Sequence, residues 1–153
     1  MLEITGNIWD LHEKGEWIGI PTNGNINKDG LAVMGRGVAL QAAQRFPNLR
    51  EDFGGALHSN GNVPNIFIDY RIITLPVKYN WWEKADLVLI ERTAIKVYKM
   101  IVNNIYCFPS EHLQSKIYTV RLGCGNGGRA WEEVKPILEK YWINDRFIIV
   151  NLI

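Results

Sequence analysis

Short, mostly apolar and β-prone runs recur along the chain at Glu16-Trp17-Ile18-Gly19-Ile20, Asn65 to Asp69, Ile72 to Val77, Ile117 to Leu122 and Arg146 to Leu152. Most are bounded by Gly, Pro, Asn or Asp, a pattern that predicts buried strands. Leu2 to Thr5 predicts an additional edge strand. Between the runs the apolar spacing changes from continuous to every third or fourth residue. Leu87, Ile90, Ala94, Val97, Ile101 and Ile105 follow that spacing, so the segment from Asp86 to about Tyr106 predicts a long helix with Asp86 as its cap. Arg36 to Phe46 predicts a helix ended by Pro47, Leu49 to His58 a weaker one, and Trp131 to Trp142 a last one. In that last helix Val134, Ile137, Leu138 and Tyr141 share one side, and Pro136 fits only within the first turn or two. Strands alternating with helices argue for a three-layer α/β/α sandwich.

Two glycine-rich stretches fall where a strand hands over to a helix. One is Val33-Met34-Gly35-Arg36-Gly37-Val38-Ala39, the other Leu122-Gly123-Cys124-Gly125-Asn126-Gly127-Gly128. Glycine lets main-chain amides approach a ligand, and a helix start adds unpaired N–H groups with partial positive charge. Each loop suits a phosphate, and two facing loops suit a diphosphate. A tight turn before an ordinary helix is an equally open reading of the first loop. Neither loop ends in the Lys-Ser/Thr of a P-loop. The second lies too late in the chain for the usual dinucleotide fingerprint, so ATPase and hydride-transfer chemistry are disfavoured.

With 153 residues the chain is expected to form a single domain over residues 1–153, without help from disulfides or structural metal. Lys and Arg number 17 against 16 Asp and Glu, leaving no strong field for bulk nucleic-acid backbone. Cys107 and Cys124 are too few and too far apart for a disulfide framework or a zinc site. His12, His58 and His112 lie apart, without partners at ligand spacing, so no metal and no cofactor are expected and the histidines read as surface or loop residues. The start Met1-Leu2-Glu3-Ile4-Thr5-Gly6 lacks the features of a signal peptide, and no long apolar span occurs, so a soluble, cytoplasmic protein with no membrane partner is expected.

Candidate chemistry gathers at a few positions. Asn23, in Pro21-Thr22-Asn23-Gly24, has an amide that can meet ribose hydroxyls, or simply make an Asn-Gly turn. Lys78 follows a predicted strand and precedes Tyr79, Asn80, Trp81 and Trp82. A lysine partly desolvated by rings loses its proton more readily and can act as nucleophile or base, although most lysines are merely solvated. The tryptophans read as core or interface residues before ligand stackers. Cys124 sits at a helix start, but packing between glycines explains it at least as well as nucleophilic chemistry.

Taken in order, Thr5-Gly6-Asn7-Ile8-Trp9-Asp10, Pro21-Thr22-Asn23-Gly24, Val33 to Ala42, Leu75-Pro76-Val77-Lys78 and Leu122 to Gly128 with Trp131 and Val134 resemble a macro domain, the ADP-ribose-recognising module. The subgroup most resembled comprises bacterial antitoxins that remove ADP-ribose from DNA, together with terminal ADP-ribose glycohydrolases. The resemblance implies a central mixed sheet and a site for ADP-ribose or an ADP-ribosylated substrate, DNA or protein. It places Asn7 and Ile8 near adenine, Asn23 at the distal ribose, and the diphosphate between Val33, Met34, Gly35, Arg36, Gly37 and Val38 on one side and Gly123, Cys124, Gly125, Asn126, Gly127 and Gly128 on the other. It implies a catalytic role for Lys78, with Asn23, in hydrolysis at the anomeric carbon C1″ of the distal ribose. Some relatives pair that lysine with an aspartate in the second loop; this chain has Gly127 there, and Ala130 where others carry an aspartate before the tryptophan. Phosphatase action on ADP-ribose 1″-phosphate and binding without turnover are the alternatives the resemblance leaves open, and an NAD protein of Rossmann type is the alternative outside it.

Overall fold

A computed structural model describes residues 1–103 and 116–152. In chain order the elements are β1 (Leu2–Thr5), α1 (Ile8–Glu13), β2 (Trp17–Thr22), α2 (Gly37–Arg45), α3 (Leu49–Asn60), β3 (Ile66–Phe67), β4 (Ile72–Pro76), α4 (Leu87–Ile101), β5 (Ile117–Thr119), α5 (Trp131–Tyr141) and β6 (Phe147–Asn151). The strands form one sheet in the order β1-β6-β5-β2-β4-β3. All neighbours pair parallel except β3 with β4, so the sheet is mixed.

Strand alternation divides the core into two. Trp17, Ile73, Leu75, Ile117, Phe147 and Ile149 face α4 and α5, while Ile18, Ile20, Ile72, Tyr118, Ile148 and Val150 face α1, α2 and α3. Successive side chains on a strand point to opposite faces, and a parallel sheet covered on both sides needs apolar residues at nearly every position. That requirement explains why the runs read from sequence are continuous. The three-layer arrangement follows. Trp142 pins one side layer: its ring stacks on Phe147 at 5.0 Å and its Nε1–H donates to Ala94 O at 3.0 Å, tying α5 to β6 and α4.

Several boundaries differ from the sequence reading. Asn65 to Asp69 shrinks to the two-residue β3, followed by a single turn of 3-10 helix over Ile68–Tyr70; Ile68 is half exposed, so this is no buried strand. Asp86 caps α4 as expected, its carboxylate accepting from Leu89 N at 2.9 Å, but the helix ends at Ile101. Ile105, Tyr106, Cys107 and His112 lie outside the described residues. Pro136 occupies the sixth position of α5, on an exposed part of the second turn. The helix α1 was not expected. Asn7 caps it by accepting from Trp9 N at 2.9 Å, and its six residues are too few to display a period.

His12 is no surface residue: it is buried on α1, its Nε2–H donating to Tyr70 O at 2.7 Å beside the rings of Trp9 and Phe46. Burial lowers its pKa, opposed by the Tyr70 carbonyl, while Arg71 and Arg45 lower it further. With the folded value below the unfolded one, the unfolded chain takes up the proton more readily as the pH drops. His12 therefore supports the fold above about pH 6.5, and that support declines below it. Thermal melts between pH 7 and pH 5 should show a falling Tm for the wild type and a shallower fall for His12→Gln. Gly54 on α3 gives a second expectation. A Cβ there would run into Gly30 O and lie 3.1 Å from Ala32 N, both backbone atoms, so Gly54→Ala should cost about 1–3 kcal/mol or more and lower Tm by several degrees in calorimetry.

Candidate functional site

The strands β2 and β5 lie side by side and parallel, yet the chain leaving β2 runs to α2 on one face of the sheet and the chain leaving β5 runs to α5 on the other. Such a divergence opens a crevice beyond the strand ends, the usual ligand position in open α/β sheets. A cleft of about 1090 Å³ lies there. Both glycine-rich loops line it.

The loops are shaped by local contacts. On the first, Asn23 Nδ2 donates to Val33 O at 3.0 Å and Val33 N donates to Asn25 O at 3.0 Å. On the second, Arg129 N donates to Gly123 O at 2.9 Å and Ala85 N to Gly127 O at 2.8 Å. Gly127 is required by the fold of its own loop: a Cβ there would lie 2.6 Å from Gly123 C and 2.7 Å from Gly123 Cα. The loops approach each other closely, since a Cβ on Gly37, which has φ +58°, would lie 4.0 Å from Asn126 Nδ2. Among the described residues, the N–H groups of Gly35, Arg36, Gly37 and Val38 on one side and of Gly125, Asn126 and Gly127 on the other have no protein acceptor. All of these residues line the cleft. Free amides on two loops that line one cleft have the chemistry to meet an anion with several oxygens.

Charge in the cleft agrees. Arg36, Lys78 and Arg121 line it against one carboxylate, Glu83. Lys78 leaves the end of β4 half buried, its Nζ donating to Trp81 O at 3.2 Å and Asn126 O at 3.1 Å. Those carbonyls favour the ammonium, but burial first and the Arg36 charge second hold the pKa below the ordinary lysine range. Asn23 lines the cleft with its amide already committed, Oδ1 accepting from Asn25 N at 2.9 Å as well as Nδ2 donating to Val33 O, so it is both a turn residue and a cleft residue. Cys124 is half buried, and burial raises the pKa of its thiol, which keeps it protonated and unsuited to nucleophilic attack. Gly128 is the one second-loop residue of the expected set outside the cleft lining.

Asn7 and Ile8 do not line the main cleft. They border a smaller concavity of about 510 Å³ with Gly6, Trp9, Gln41, Gln44 and Arg45. Val38, Val120, Val150 and Leu152 line both, so the two spaces adjoin. Trp81 and Trp82 are exposed, 52% and 64%, and line the cleft beside Lys78 at a ring separation of 5.7 Å; they belong to no core. Sequence reasoning missed Thr22, whose buried hydroxyl has no partner and which lines the cleft next to Asn23. It also missed Arg121 and Glu83. A lone polar residue at a strand end or in a turn carries no signal that separates it from its solvated neighbours.

Among the described residues no cluster of His, Cys, Asp and Glu could hold a metal ion, and no helix is long and apolar enough to cross a membrane.

The chain has the macrodomain fold, as comparison with solved structures shows. The macrodomain of Mycobacterium tuberculosis DarG superimposes with a TM-score of 0.67 at 22% identity over 90% of this chain and 87% of that one. The macrodomain of Thermus aquaticus DarG gives 0.68 at 24% identity, covering 98% and 96%. Thermosipho africanus DarTG in complex with ADP-ribose gives 0.65 at 20% identity over 90% of this chain, which spans 38% of that longer protein. No family model and no curated protein matches the chain.

Proposed function

We propose that this protein binds ADP-ribose and hydrolyses a bond at the C1″ carbon of its distal ribose, releasing ADP-ribose from a base, a side chain or an ester. The observation that carries this reading is the pair of unpaired amide rows, Gly35 to Val38 and Gly125 to Gly127, facing each other in a cleft with a surplus of cations. A diphosphate offers oxygens to both rows at once. The adjoining concavity, with apolar Ile8, Val38, Val120 and Val150 and the amides of Asn7, Gln41 and Gln44, suits the adenine. The distal ribose then lies at the other end, with Asn23, Thr22 and Lys78. The solved complex of the structurally similar DarTG contains ADP-ribose, which supports ADP-ribose as the ligand.

Lys78 is the reacting group of this proposal. Its lowered pKa raises the share of neutral amine, which takes a proton from the water that attacks C1″ as the bond from C1″ to the departing group breaks. The ammonium so formed returns that proton to the departing group, while the loops hold the rest of the ligand and so align the reacting carbon. The departing group leaves past Trp81 and Trp82 at the mouth. The test is incubation with ADP-ribosylated single-stranded DNA, ADP-ribosylated peptide and O-acetyl-ADP-ribose. Release of ADP-ribose from the DNA or the peptide supports the proposal, release from the acetyl ester alone contradicts cleavage at C1″, and recovery of all three intact rejects the hydrolase. Binding without turnover is the second reading, favoured by Gly127, whose surroundings leave no space for the loop carboxylate that would assist a lysine.

Thr22 supplies a separate check. Replacing an unpaired buried hydroxyl by a methyl removes a desolvation cost. Thr22→Val should keep or raise Tm, yet weaken ADP-ribose binding several-fold in titration calorimetry if that hydroxyl meets the ribose.

A further inference from the structure

Arg36 and Arg121 both line the cleft, and neither is in an ion pair among the described residues. They serve different ends of it. Arg36 is the charge that Lys78 feels, whereas Arg121 sits by the junction with the smaller concavity: Val120 beside it, and Val150 and Leu152 on either side of its partner Asn151, line both spaces. Arg121 is also braced. Its Nε–H donates to Asn151 Oδ1 at 2.8 Å, and its guanidinium carbon lies 5.3 Å from the centre of the Trp131 ring. Asn151 Nδ2 and Trp131 Nε1 both donate to Glu3 Oε1, at 3.4 and 3.2 Å, and Glu3 is itself paired with Lys135 at 2.7 Å. The nearby carboxylate thus orients the two residues that hold the exposed arginine and forms no ion pair with it. Both terminal nitrogens of Arg121 remain without a protein acceptor.

We propose that Arg121, held by Asn151 and Trp131, is an anion subsite at the junction of the two spaces, and that the cleft takes an ADP-ribose carrying a 2′-phosphate on its adenosine ribose. The inference rests on the ADP-ribose reading above: with adenine in the smaller concavity and the diphosphate between the loops, the adenosine ribose falls at this junction. Its hydroxyls are neutral, and the diphosphate already has two rows of amides and Arg36. An oriented fork with two free donors fits a phosphate, whose oxygens accept both donors and whose charge balances the guanidinium.

Titration calorimetry with ADP-ribose and ADP-ribose 2′-phosphate, on the wild type, Arg121→Gln and Asn151→Ala, tests this. The wild type should bind the 2′-phosphate about tenfold more tightly at low salt, with a preference that shrinks as salt rises. Arg121→Gln should bring the affinity ratio to about one, and Asn151→Ala, which frees the fork, should reduce it in part. Equal affinities in the wild type, or a ratio unchanged in Arg121→Gln, overturn the subsite while leaving ADP-ribose binding intact. If neither ligand binds the wild type, the reading beneath it fails as well.

Discussion

Lys78→Ala should slow ADP-ribose release by about 10³-fold or more while leaving ADP-ribose bound within a few fold of wild type. The separation follows from where the groups lie. The amide rows that would hold the diphosphate belong to the backbone of the two loops, and Lys78 touches them only through Asn126 O. Removing the side chain takes away the reacting amine and leaves the cradle in place. Lys78→Arg should not restore activity, because a guanidinium stays protonated and cannot serve as nucleophile or base. The pH dependence has a defined sign. Activity requires the neutral amine, so the rate should rise with pH and level off at an apparent pKa below that of an ordinary lysine, the direction set by burial and by Arg36. In Arg36→Gln the opposing charge is gone and the rising limb should move to higher pH. A limb unmoved in Arg36→Gln, or full activity in Lys78→Ala, removes Lys78 from the reaction.

Gly127→Ala should abolish high-affinity ADP-ribose binding, with a loss of about 100-fold or more by calorimetry, while circular dichroism retains the α/β signature. The methyl group would collide with the carbonyl, carbonyl carbon and Cα of Gly123, all backbone atoms that cannot rotate aside. The loop must open to admit it. Opening breaks the Arg129 N to Gly123 O and Ala85 N to Gly127 O bonds and displaces the Gly125 to Gly127 amides from their row. Tm should fall by several degrees, because Leu122 at the base of the loop belongs to the core and Cys124 packs against it. Gly127→Asp should fail in the same way and should not create a lysine-carboxylate pair with Lys78. Unchanged affinity in Gly127→Ala would show that this loop does not hold the ligand.

Much of this architecture was legible in the amino-acid order. β2, β4 and β6 announce themselves because a parallel strand covered on both faces is apolar at successive positions, and α4 because one face repeats at helical spacing behind a capping aspartate. What escaped has physical reasons. The helix α1 spans fewer than two turns, so no period develops, and His12 reads as a surface residue until that helix turns it toward Phe46 and Tyr70. The Asn65 to Asp69 run has strand composition but pairs for only two residues before the chain turns at Arg71, which has φ 53°. The run Ile117 to Leu122 keeps its ladder only to Thr119, because the next residues bend into the second glycine loop.

The site divides the same way. Glycine-rich loops stand out by composition and Lys78 only through the family resemblance, and the fold brings them to one cleft. Asn7 and Ile8, expected near adenine, border the adjoining concavity. Thr22, Glu83 and Arg121 become visible only once sheet order sets β2, β4, β5 and β6 side by side, since contacts such as that of Arg121 with Asn151 join positions 30 residues apart.

A crystal structure of the protein soaked or grown with ADP-ribose is the decisive measurement. Density for both phosphates between the Gly35 to Val38 amides and the Gly125 to Gly127 amides, with C1″ directed toward Lys78 Nζ, is the expected result. A ligand bound elsewhere, or a diphosphate that contacts neither row of amides, would contradict it.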